Sequence, residues 1–285
     1  MTALGVVYLP QLPPEQLRSA VRTADEVGLD QLWLWEDCFL ESGIAAAAAA
    51  LAWSERLTVG IGVLPVPLRN VALTAMEIAT VSRLFPGRFT VGVGHGVQSW
   101  MAQVGEKVAS PMTLLREQLT ALRSLLDGRT VTVDGRYVQL DGVSLDWPPL
   151  QRQRLLSAAT GAKTLALSGE LADGTVLTGG STPDQVSAAR AVLDANAPGD
   201  HEVIVYLLCA TGEDALERVS AEAAAAGHGD VQDCAVYGTA EQIAVGIARW
   251  TAAGADTVVL QPTRDATDID AFVRFVATRV APLVG

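Results

Sequence analysis

Short apolar runs alternate along the whole chain with longer segments of helical period, and this alternation restricts the fold more than any other feature. Strands that are separated by helices pair in parallel. Eight such strands in 285 residues predict one closed (β/α)8 TIM barrel of the α/β class, and residues 1–285 contain no linker or tandem repeat that would divide them. The predicted strands are Leu4–Tyr8, Gln31–Trp35, Leu57–Val63, Phe89–Gly94, Leu155–Ala159, Gly174–Thr178, Glu202–Leu208 and Thr257–Gln261.

Two connections, after the fourth and the seventh predicted strands, are longer than a single helix requires. The first contains Thr130–Val133 and Arg136–Leu140 around Asp134-Gly135, a dipeptide typical of a two-residue hairpin turn. The second, Cys209–Ala255, holds two Ala-rich helical segments separated by Gly227-His228-Gly229. Long connections on a rigid barrel commonly carry specificity, so both are expected to be insertions near the site.

Charge and cysteine usage exclude several classes of function. Thirty-two acidic against twenty basic residues give a net charge of −12, which repels the phosphate backbone of nucleic acids. A signal-peptide pattern and a bilayer-length apolar run are both missing, so a cytoplasmic protein without a membrane partner is expected. Cys38, Cys209 and Cys234 form no CxxC pair, and the three histidines have no metal-ligand spacing, so neither disulfides nor a metal site is predicted.

Two acidic residues, Glu36 and Asp37, directly follow the second predicted strand. In an α/β barrel the carboxyl ends of the strands assemble the active site, so these side chains are expected at its mouth. There they could bind or protonate a polar ring. An exposed turn explains the same pair, because Asp and Glu are ordinarily found at the surface.

Glycines mark the ends of the third and fourth predicted strands. In Gly60-Ile61-Gly62-Val63-Leu64, glycine inside a strand indicates either close approach of the backbone to a ligand or a bend that relieves crowding. Gly94-His95-Gly96 suggests a flat ring lying against backbone with His95 donating to it, although a lone histidine is as often structural. The glycine spacing does not match a dinucleotide fingerprint.

Small residues form turns after the fifth and sixth predicted strands. Ala158-Ala159-Thr160-Gly161 leads into a helix whose free N–H groups attract phosphate, and Lys163 adds positive charge. Thr178-Gly179 begins a second donor-rich turn. Ordinary turns with a capping Ser or Thr explain either one alone, whereas a phosphate cradle explains both. The chain has neither a G-x-S-x-G elbow nor a Walker sequence, which argues against hydrolytic chemistry.

Several blocks resemble the luciferase-like superfamily of flavin- and deazaflavin-dependent oxidoreductases, and the likeness extends over most of the chain. They are Ala24–Asp30, Arg56–Gly60, Ala79–Phe89 leading into Gly92–Gly94, and Ala253–Asp256. The third block, a helix followed by a glycine-arginine turn into a Gly-rich strand end, is the most specific. The overall pattern is more similar to the branch that uses the deazaflavin coenzyme F420 than to the flavin monooxygenases.

The resemblance to the F420 branch implies a non-prolyl cis peptide at Gly62-Val63, behind the tricyclic ring. It also implies that the two small-residue turns hold the coenzyme's phosphate. Two positions depart from the branch: Glu36-Asp37 replaces its Asp-His pair, and Val97 replaces an acidic residue of its sugar-phosphate dehydrogenases, so a sugar phosphate is not expected as substrate. The residues expected to bind the cofactor are Gly62, Val63, Leu64, Gly94, His95, Gly96, Ala158, Ala159, Thr160, Gly161, Lys163, Thr178 and Gly179.

Hydride transfer between coenzyme F420 and a small-molecule organic substrate is the hypothesis that the resemblance favours, in a protein expected to be a homodimer. Asp37 or His95 would exchange the accompanying proton, and Glu36 would orient the ring edge. The alternatives are an FMN-dependent monooxygenase and a catalytically inert cofactor-binding relative. The substrate wall is predicted to contain Gln98, Trp100 and Trp147.

Overall fold

A computed structural model describes residues 2–284 of the chain. It contains nine parallel strands in one sheet and an antiparallel two-stranded hairpin. The strands are β1 (Ala3–Val7), β2 (Gln31–Leu34), β3 (Thr58–Pro65), β4 (Phe89–Gly94), β5 (Val131–Asp134), β6 (Gln139–Val143), β7 (Leu155–Ala158), β8 (Gly174–Leu177), β9 (Glu202–Thr211), β10 (Ala235–Gly238) and β11 (Thr257–Pro262).

Eight of these strands close into a barrel in the order β1-β2-β3-β4-β7-β8-β9-β11, and β11 pairs back onto β1. The eight barrel strands are those predicted from the sequence, with ends that differ by a few residues at most. Parallel strands separated by helices place all their carboxyl ends on one rim. The predicted (β/α)8 barrel is therefore confirmed.

Helices surround the barrel and begin and end at residues that the sequence marks. Gly28 ends the first helix in the left-handed conformation, with φ of 74°. The side chain of Asn70 accepts from the N–H of Ala72 at 2.9 Å and caps the third. The helices are α1 (Leu17–Val27), α2 (Gly43–Trp53), α3 (Val71–Leu84), α4 (Gln98–Gln103), α5 (Pro111–Leu126), α6 (Ala162–Leu171), α7 (Pro183–Asn196), α8 (Ala215–Ala226), α9 (Val231–Cys234), α10 (Ala240–Ala252) and α11 (Ile269–Phe275), with short helical turns at Pro14–Gln16, Val66–Leu68, Val276–Val280 and Ala281–Leu283. Among residues 2–284, no helix combines the length and the apolar character needed to cross a membrane.

The core has two layers, one between the barrel and the helices and a smaller one inside the barrel. Trp33 fills much of the inner layer, because a Cβ atom at Gly60 would lie 2.5 Å from its ring and one at Gly5 would lie 2.9 Å from it. Real Cβ contacts are essentially never shorter than 3.0 Å. Gly60 thus makes room for an aromatic side chain, so crowding rather than a ligand explains this glycine.

The hairpin after β4 is present, but its turn is not the predicted two-residue type. Asp134 pairs with Gln139, which leaves a four-residue loop of residues 135–138. The carboxylate of Glu117 on α5 accepts from the N–H groups of Arg136, Tyr137 and Val138 at 2.8 to 2.9 Å. The N–H of Gly135 also donates to the carbonyl of Val138 at 2.9 Å, so the turn is centred on residues 136–137 and not on the predicted Asp134-Gly135.

The connection from Cys209 to Ala255 contains the two predicted helical segments, as α8 and α10. It also contains α9 and the strand β10, which the sequence analysis did not predict. β10 is only four residues long and pairs with Leu208–Thr211, beyond the part of β9 that pairs with β8. An element this short gives too weak a periodic signal to be recognised.

Carboxylates organise the rim at the amino ends of the barrel strands, called here the amino-end rim. Asp25 accepts from the three consecutive N–H groups of residues 55–57 at 2.9 to 3.0 Å and thereby joins the end of α1 to the start of β3. Asp173 accepts from the N–H of Leu155 at 2.9 Å and forms ion pairs with Arg123 and Arg152. Each of these two acids is thus satisfied by several donors.

Candidate functional site

A cleft of about 640 Å³ opens at the carboxyl ends of the barrel strands, called here the carboxyl-end rim. A volume of this size is typical of small-molecule and cofactor sites. Residues from seven of the eight barrel strands or the loops after them line the cleft. The predicted site residues among them are Glu36, Asp37, Gly62, Val63, Gly94, His95, Gly96, Trp100, Ala158, Ala159, Thr160, Thr178 and Gly179.

Three predicted cofactor residues do not line this cleft. Leu64 is fully buried in the outer core, because its side chain points from β3 towards the helices. Gly161 and Lys163 are exposed at the start of α6, adjacent to the lining residues Thr160 and Thr164. The assignment of Leu64 to the cofactor is therefore wrong, whereas Gly161 and Lys163 remain within reach of a ligand that extends out of the cleft.

Two of the three residues predicted for the substrate wall also lie elsewhere. Trp147 is 71% exposed and stacks on the guanidinium of Arg83, at the end of α3 and therefore at the amino-end rim. Gln98 donates from its side-chain amide to the carbonyl of His95 at 3.1 Å, so it holds the loop rather than facing a ligand. Trp100 alone of the three lines the cleft.

Glu36 lines the cleft, but its carboxylate is held in an ion pair. Its Oε1 and Oε2 accept from Arg69 Nε and Nη2 at 3.0 and 2.8 Å, and Oε2 also accepts from the N–H of Gly43. Arg69 forms a second ion pair with Glu77 on α3. The predicted role of Glu36 in orienting a ring edge is therefore replaced by a structural one, since three donors hold its carboxylate in place.

Asp37 is the acid that faces the cleft without a partner, since within residues 2–284 no hydrogen bond reaches its carboxylate. Burial raises the pKa of Asp37, and the positive charge of Arg264 acts in the opposite direction. A desolvated carboxylate of this kind binds a proton more readily than an exposed one. Asp37 can therefore hold or transfer a proton in the cleft.

His95 lines the cleft as a neutral imidazole. Burial lowers the pKa of His95, and the carbonyl of Pro111 acts in the opposite direction. Its Nε2 lies 3.4 Å from Thr164 Oγ1, and the Thr164 hydroxyl donates to the sulfur of Met112 at 3.4 Å. The Thr164 oxygen is thus left to accept from Nε2–H, so this nitrogen is not free for the predicted donation to a ring.

The middle of the cleft is lined by backbone of β3 and β4. The peptide bond between Gly62 and Val63 is cis, as the sequence analysis predicted, and an unpredicted second one joins Cys38 and Phe39. The side chain of Val63 fills the space next to Gly92 and Gly94, where added Cβ atoms would lie 2.6 and 2.8 Å from it. These glycines keep the wall flat while Val63 packs across it.

The two turns predicted to cradle a phosphate differ in their free donors. The helix α6 begins after Gly161 with no side-chain cap and no acidic residue in its first turn, so its first N–H groups remain available. The helix α7 begins with a capping box, in which Thr182 and Gln185 satisfy each other's backbone N–H groups. The α6 turn is therefore the better anion site of the two.

Comparison with known proteins shows which family the chain belongs to. The sequence profile of the luciferase-like monooxygenase family matches residues 3–226. The chain belongs to this family. The family predicted from the sequence is thereby confirmed, and membership identifies the chain as an enzyme of the oxidoreductase type.

Two relatives of this luciferase-like protein are 5,10-methylenetetrahydromethanopterin reductases. The chain is 27% identical over 224 residues to that of Methanolobus tindarius, covering 76% of this chain and 68% of the relative. It is 29% identical over 192 residues to that of Archaeoglobus fulgidus, covering 67% of this chain and 57% of the relative. Its fold matches the coenzyme F420 dependent tetrahydromethanopterin reductase from Methanopyrus kandleri with a TM-score of 0.87 and 19% identity, over 100% of this chain and 99% of that one.

Several cleft residues of this luciferase-like barrel were not singled out from the sequence. Tyr206 and Gln261 lie on strands that were predicted, and Arg264 follows the last of these strands. Because the ends of barrel strands form the active site, Gln261 and Arg264 could have been found from the sequence. Glu222 and His228 belong to the Cys209–Ala255 connection, whose approach to the cleft depends on the unpredicted β10. The unpredicted lining residues are Trp35, Cys38, Pro65, Val97, Met101, Thr164, Tyr206, Leu208, Glu222, Ala226, His228, Gln261 and Arg264.

Proposed function

We propose that the chain is an oxidoreductase that transfers a hydride between coenzyme F420 and an organic substrate. The observation that carries this proposal is the layout of one cleft: a flat backbone wall at its middle, an uncapped helix start beside it, and the unpaired acid Asp37 facing it. A planar ring with a phosphate-bearing side chain fits these three features. The two curated relatives and the structural neighbour support the choice of F420 within the family.

The residues of the cleft fit the parts of the coenzyme. Gly62, Val63 and Gly94 offer the ring a wall without projecting polar side chains. Thr160 and the first N–H groups of α6 offer donors to a phosphate, and the positive end of the helix adds favourable charge. When bound, the deazaflavin would supply the hydride chemistry at its C5, and the barrel would supply orientation.

The proton that accompanies the hydride is assigned to Asp37. Its raised pKa favours the protonated form more than that of an exposed aspartate does. Arg264 lies near enough to oppose this shift, so the two residues together set how readily the proton is released. His95 is neutral and bonded to Thr164 through Nε2, while its buried Nδ1 has no partner within residues 2–284, so His95 is the alternative group for this proton.

An FMN-dependent monooxygenase is the second candidate, because the matching family is described by monooxygenase activity. FMN also combines a tricyclic ring with a phosphate, so the same cleft can accept it. A catalytically inert relative is the third, since the imidazole that the F420 branch carries after the second strand is replaced by Asp37 here. Turnover with bound cofactor separates this option from the two enzymes.

Titration of cofactor fluorescence with the purified protein tests the proposal. We expect coenzyme F420 to bind at least tenfold more tightly than FMN, a difference of about 1.4 kcal/mol. If FMN binds more tightly and its reduced form drives substrate-dependent oxygen uptake, the monooxygenase replaces the proposal. If neither binds, the assignment to a cofactor is wrong.

The variant Gly161→Asp tests the phosphate end of the cleft separately. Nothing lies within 4 Å of a Cβ atom at this position, and aspartate is a favourable N-cap, so the variant should fold. Its negative charge should weaken binding of F420 by about tenfold, while binding of the phosphate-free deazaflavin nucleoside should change less than twofold. Equal losses for both ligands would place the phosphate elsewhere.

A further inference from the structure

A hydrogen bond crosses the mouth of the barrel from β9 to the cofactor-facing wall on β3. The hydroxyl of Tyr206 donates to the carbonyl oxygen of Gly62 at 3.2 Å, although the two residues are 144 positions apart in sequence. Only 2% of Tyr206 is exposed, and Gly62 lines the cleft. The bond therefore fixes one point of the cleft wall from inside the barrel.

The contact leaves no room for a side chain at position 62. A Cβ atom at Gly62 would lie 1.9 Å from the Tyr206 hydroxyl oxygen and 2.9 Å from the ring carbon that bears it. The glycine on β3 and the tyrosine on β9 therefore require each other. Burial raises the pKa of Tyr206, so the hydroxyl keeps its proton and acts as a donor.

Two tryptophans from β2 and its end hold the Tyr206 ring. Trp33 packs against it edge to face at 5.9 Å between centroids, and Trp35 packs at 5.7 Å with a tilt of 39°. Aromatic pairs at these separations are favourable contacts beyond the area they bury. With both sides occupied, the ring has little freedom, and the position of its hydroxyl is determined by the barrel interior.

We propose that Tyr206 is a positioning residue for the cofactor, acting through the Gly62 carbonyl to set the wall against which the planar ring binds. The inference rests on the proposed function, because it needs a planar cofactor in this cleft. It assigns to the seventh barrel strand a role in cofactor geometry that the sequence analysis gave only to strands two to six.

The variant Tyr206→Phe removes the hydroxyl alone, and Tyr8→Phe is a matched control. Tyr8 is also fully buried and donates to a backbone carbonyl, that of Pro13 at 2.8 Å, but it does not line the cleft. Both variants should lose a similar amount of thermal stability. We expect Tyr206→Phe to weaken F420 binding at least fivefold (about 1 kcal/mol) and to shift the absorption band of the bound coenzyme, while Tyr8→Phe changes neither.

A Tyr206→Phe protein with the affinity and absorption band of the wild type would overturn the inference. A second test of the inference does not depend on whether Tyr206→Phe folds. It compares the single variant Gly62→Ala with the double variant Gly62→Ala/Tyr206→Phe. The double variant should regain part of the stability that Gly62→Ala loses, because the atom at 1.9 Å is gone, but not the affinity. Regained wild-type affinity would contradict a role for the hydroxyl.

The same titrations separate this inference from the function on which it rests. If the wild type binds FMN in place of F420, the F420 proposal is wrong, and the Tyr206→Phe and Tyr8→Phe comparison with FMN decides the inference. If the wild type binds neither cofactor, both proposals are overturned.

Discussion

Two well-paired acids at the amino-end rim of the barrel contrast with two unpaired acids at the carboxyl-end rim. At the amino-end rim, Asp25 and Asp173 each accept from several donors and tie helix ends to strand starts. At the carboxyl-end rim, Asp37 faces the cleft without a hydrogen bond, and both oxygens of Glu41 are buried without a partner. Paired acids stabilise a fold, whereas desolvated unpaired acids destabilise it and gain proton affinity. The barrel thus separates the end that maintains the fold from the end suited to chemistry.

Removing a paired acid from the amino-end rim should have the largest effect on stability. Asp173→Ala leaves Arg123, whose side chain is mostly buried, and the N–H of Leu155 without their acceptor. Removing one partner of a buried pair costs about 3 kcal/mol in the free energy of unfolding, measured by urea denaturation. Cofactor affinity should not change, because the site lies at the other rim.

The exposed pair between Arg116 and Glu170 is the control for this experiment. Both side chains are about half exposed, so Glu170→Ala should cost less than about 1 kcal/mol. A loss from Asp173→Ala no larger than that from the control would show that the amino-end rim does not carry the stability assigned to it.

An intermediate effect is expected from Glu41, which lies between β2 and α2 at the carboxyl-end rim. Burial raises the pKa of Glu41 to about 7. The folded state therefore keeps a proton that the unfolded state releases near pH 4.5, so stability should fall as pH rises from about 4.5 to about 7. Glu41→Gln should reduce this loss in the free energy of unfolding by about 1 kcal/mol. A larger change is not expected, because solvent still reaches part of the side chain.

The measurement for Glu41 is a series of urea denaturations between pH 4 and 8. Wild type and Glu41→Gln should be equally stable at the acidic end, and the variant should be more stable at pH 8. Parallel curves over the whole range would mean that Glu41 titrates as an ordinary exposed acid.

Replacing Asp37 should have the smallest effect on stability. The effect should also have the opposite sign to that of Asp173→Ala. Its pKa is raised, so at pH 7 the folded state carries a desolvated charge that Asp37→Asn removes. The variant should gain about 0.5 kcal/mol in the free energy of unfolding, while losing proton transfer. Asp30→Asn, at an exposed position of the other rim, is the control and should change little. Destabilisation by Asp37→Asn would indicate a partner for this carboxylate.

The barrel and the backbone of its cleft could be predicted from the sequence because both follow from local periodicity. Strand ends determine which residues reach the rim, and this placed Gly62, Gly94 and Thr178 correctly. The same logic, applied further, would have placed Trp147 towards the amino-end rim, because it lies in the loop that leads into β7, eight residues before Leu155.

The sequence could not predict which side chains pair with residues far away in the chain. The partner of Glu36 is Arg69, 33 residues away, and nothing in either local segment indicates the pair. The same holds for Tyr206 and Gly62, which meet across the barrel. Residue type and strand position showed that acids and glycines face the mouth, but only the fold decides which acid is neutralised and which remains reactive.

The ten-residue strand β9 serves two structures at once. Its first four residues pair with β8 and its last four pair with β10, while β11 pairs with residues 204–209. The segment that follows packs on a small apolar cluster of its own around Val219, apart from the main core, and brings Glu222 and His228 to the cleft. Because this cluster is separate from the main core, substitutions within it are expected to alter this side of the cleft more than the closure of the barrel.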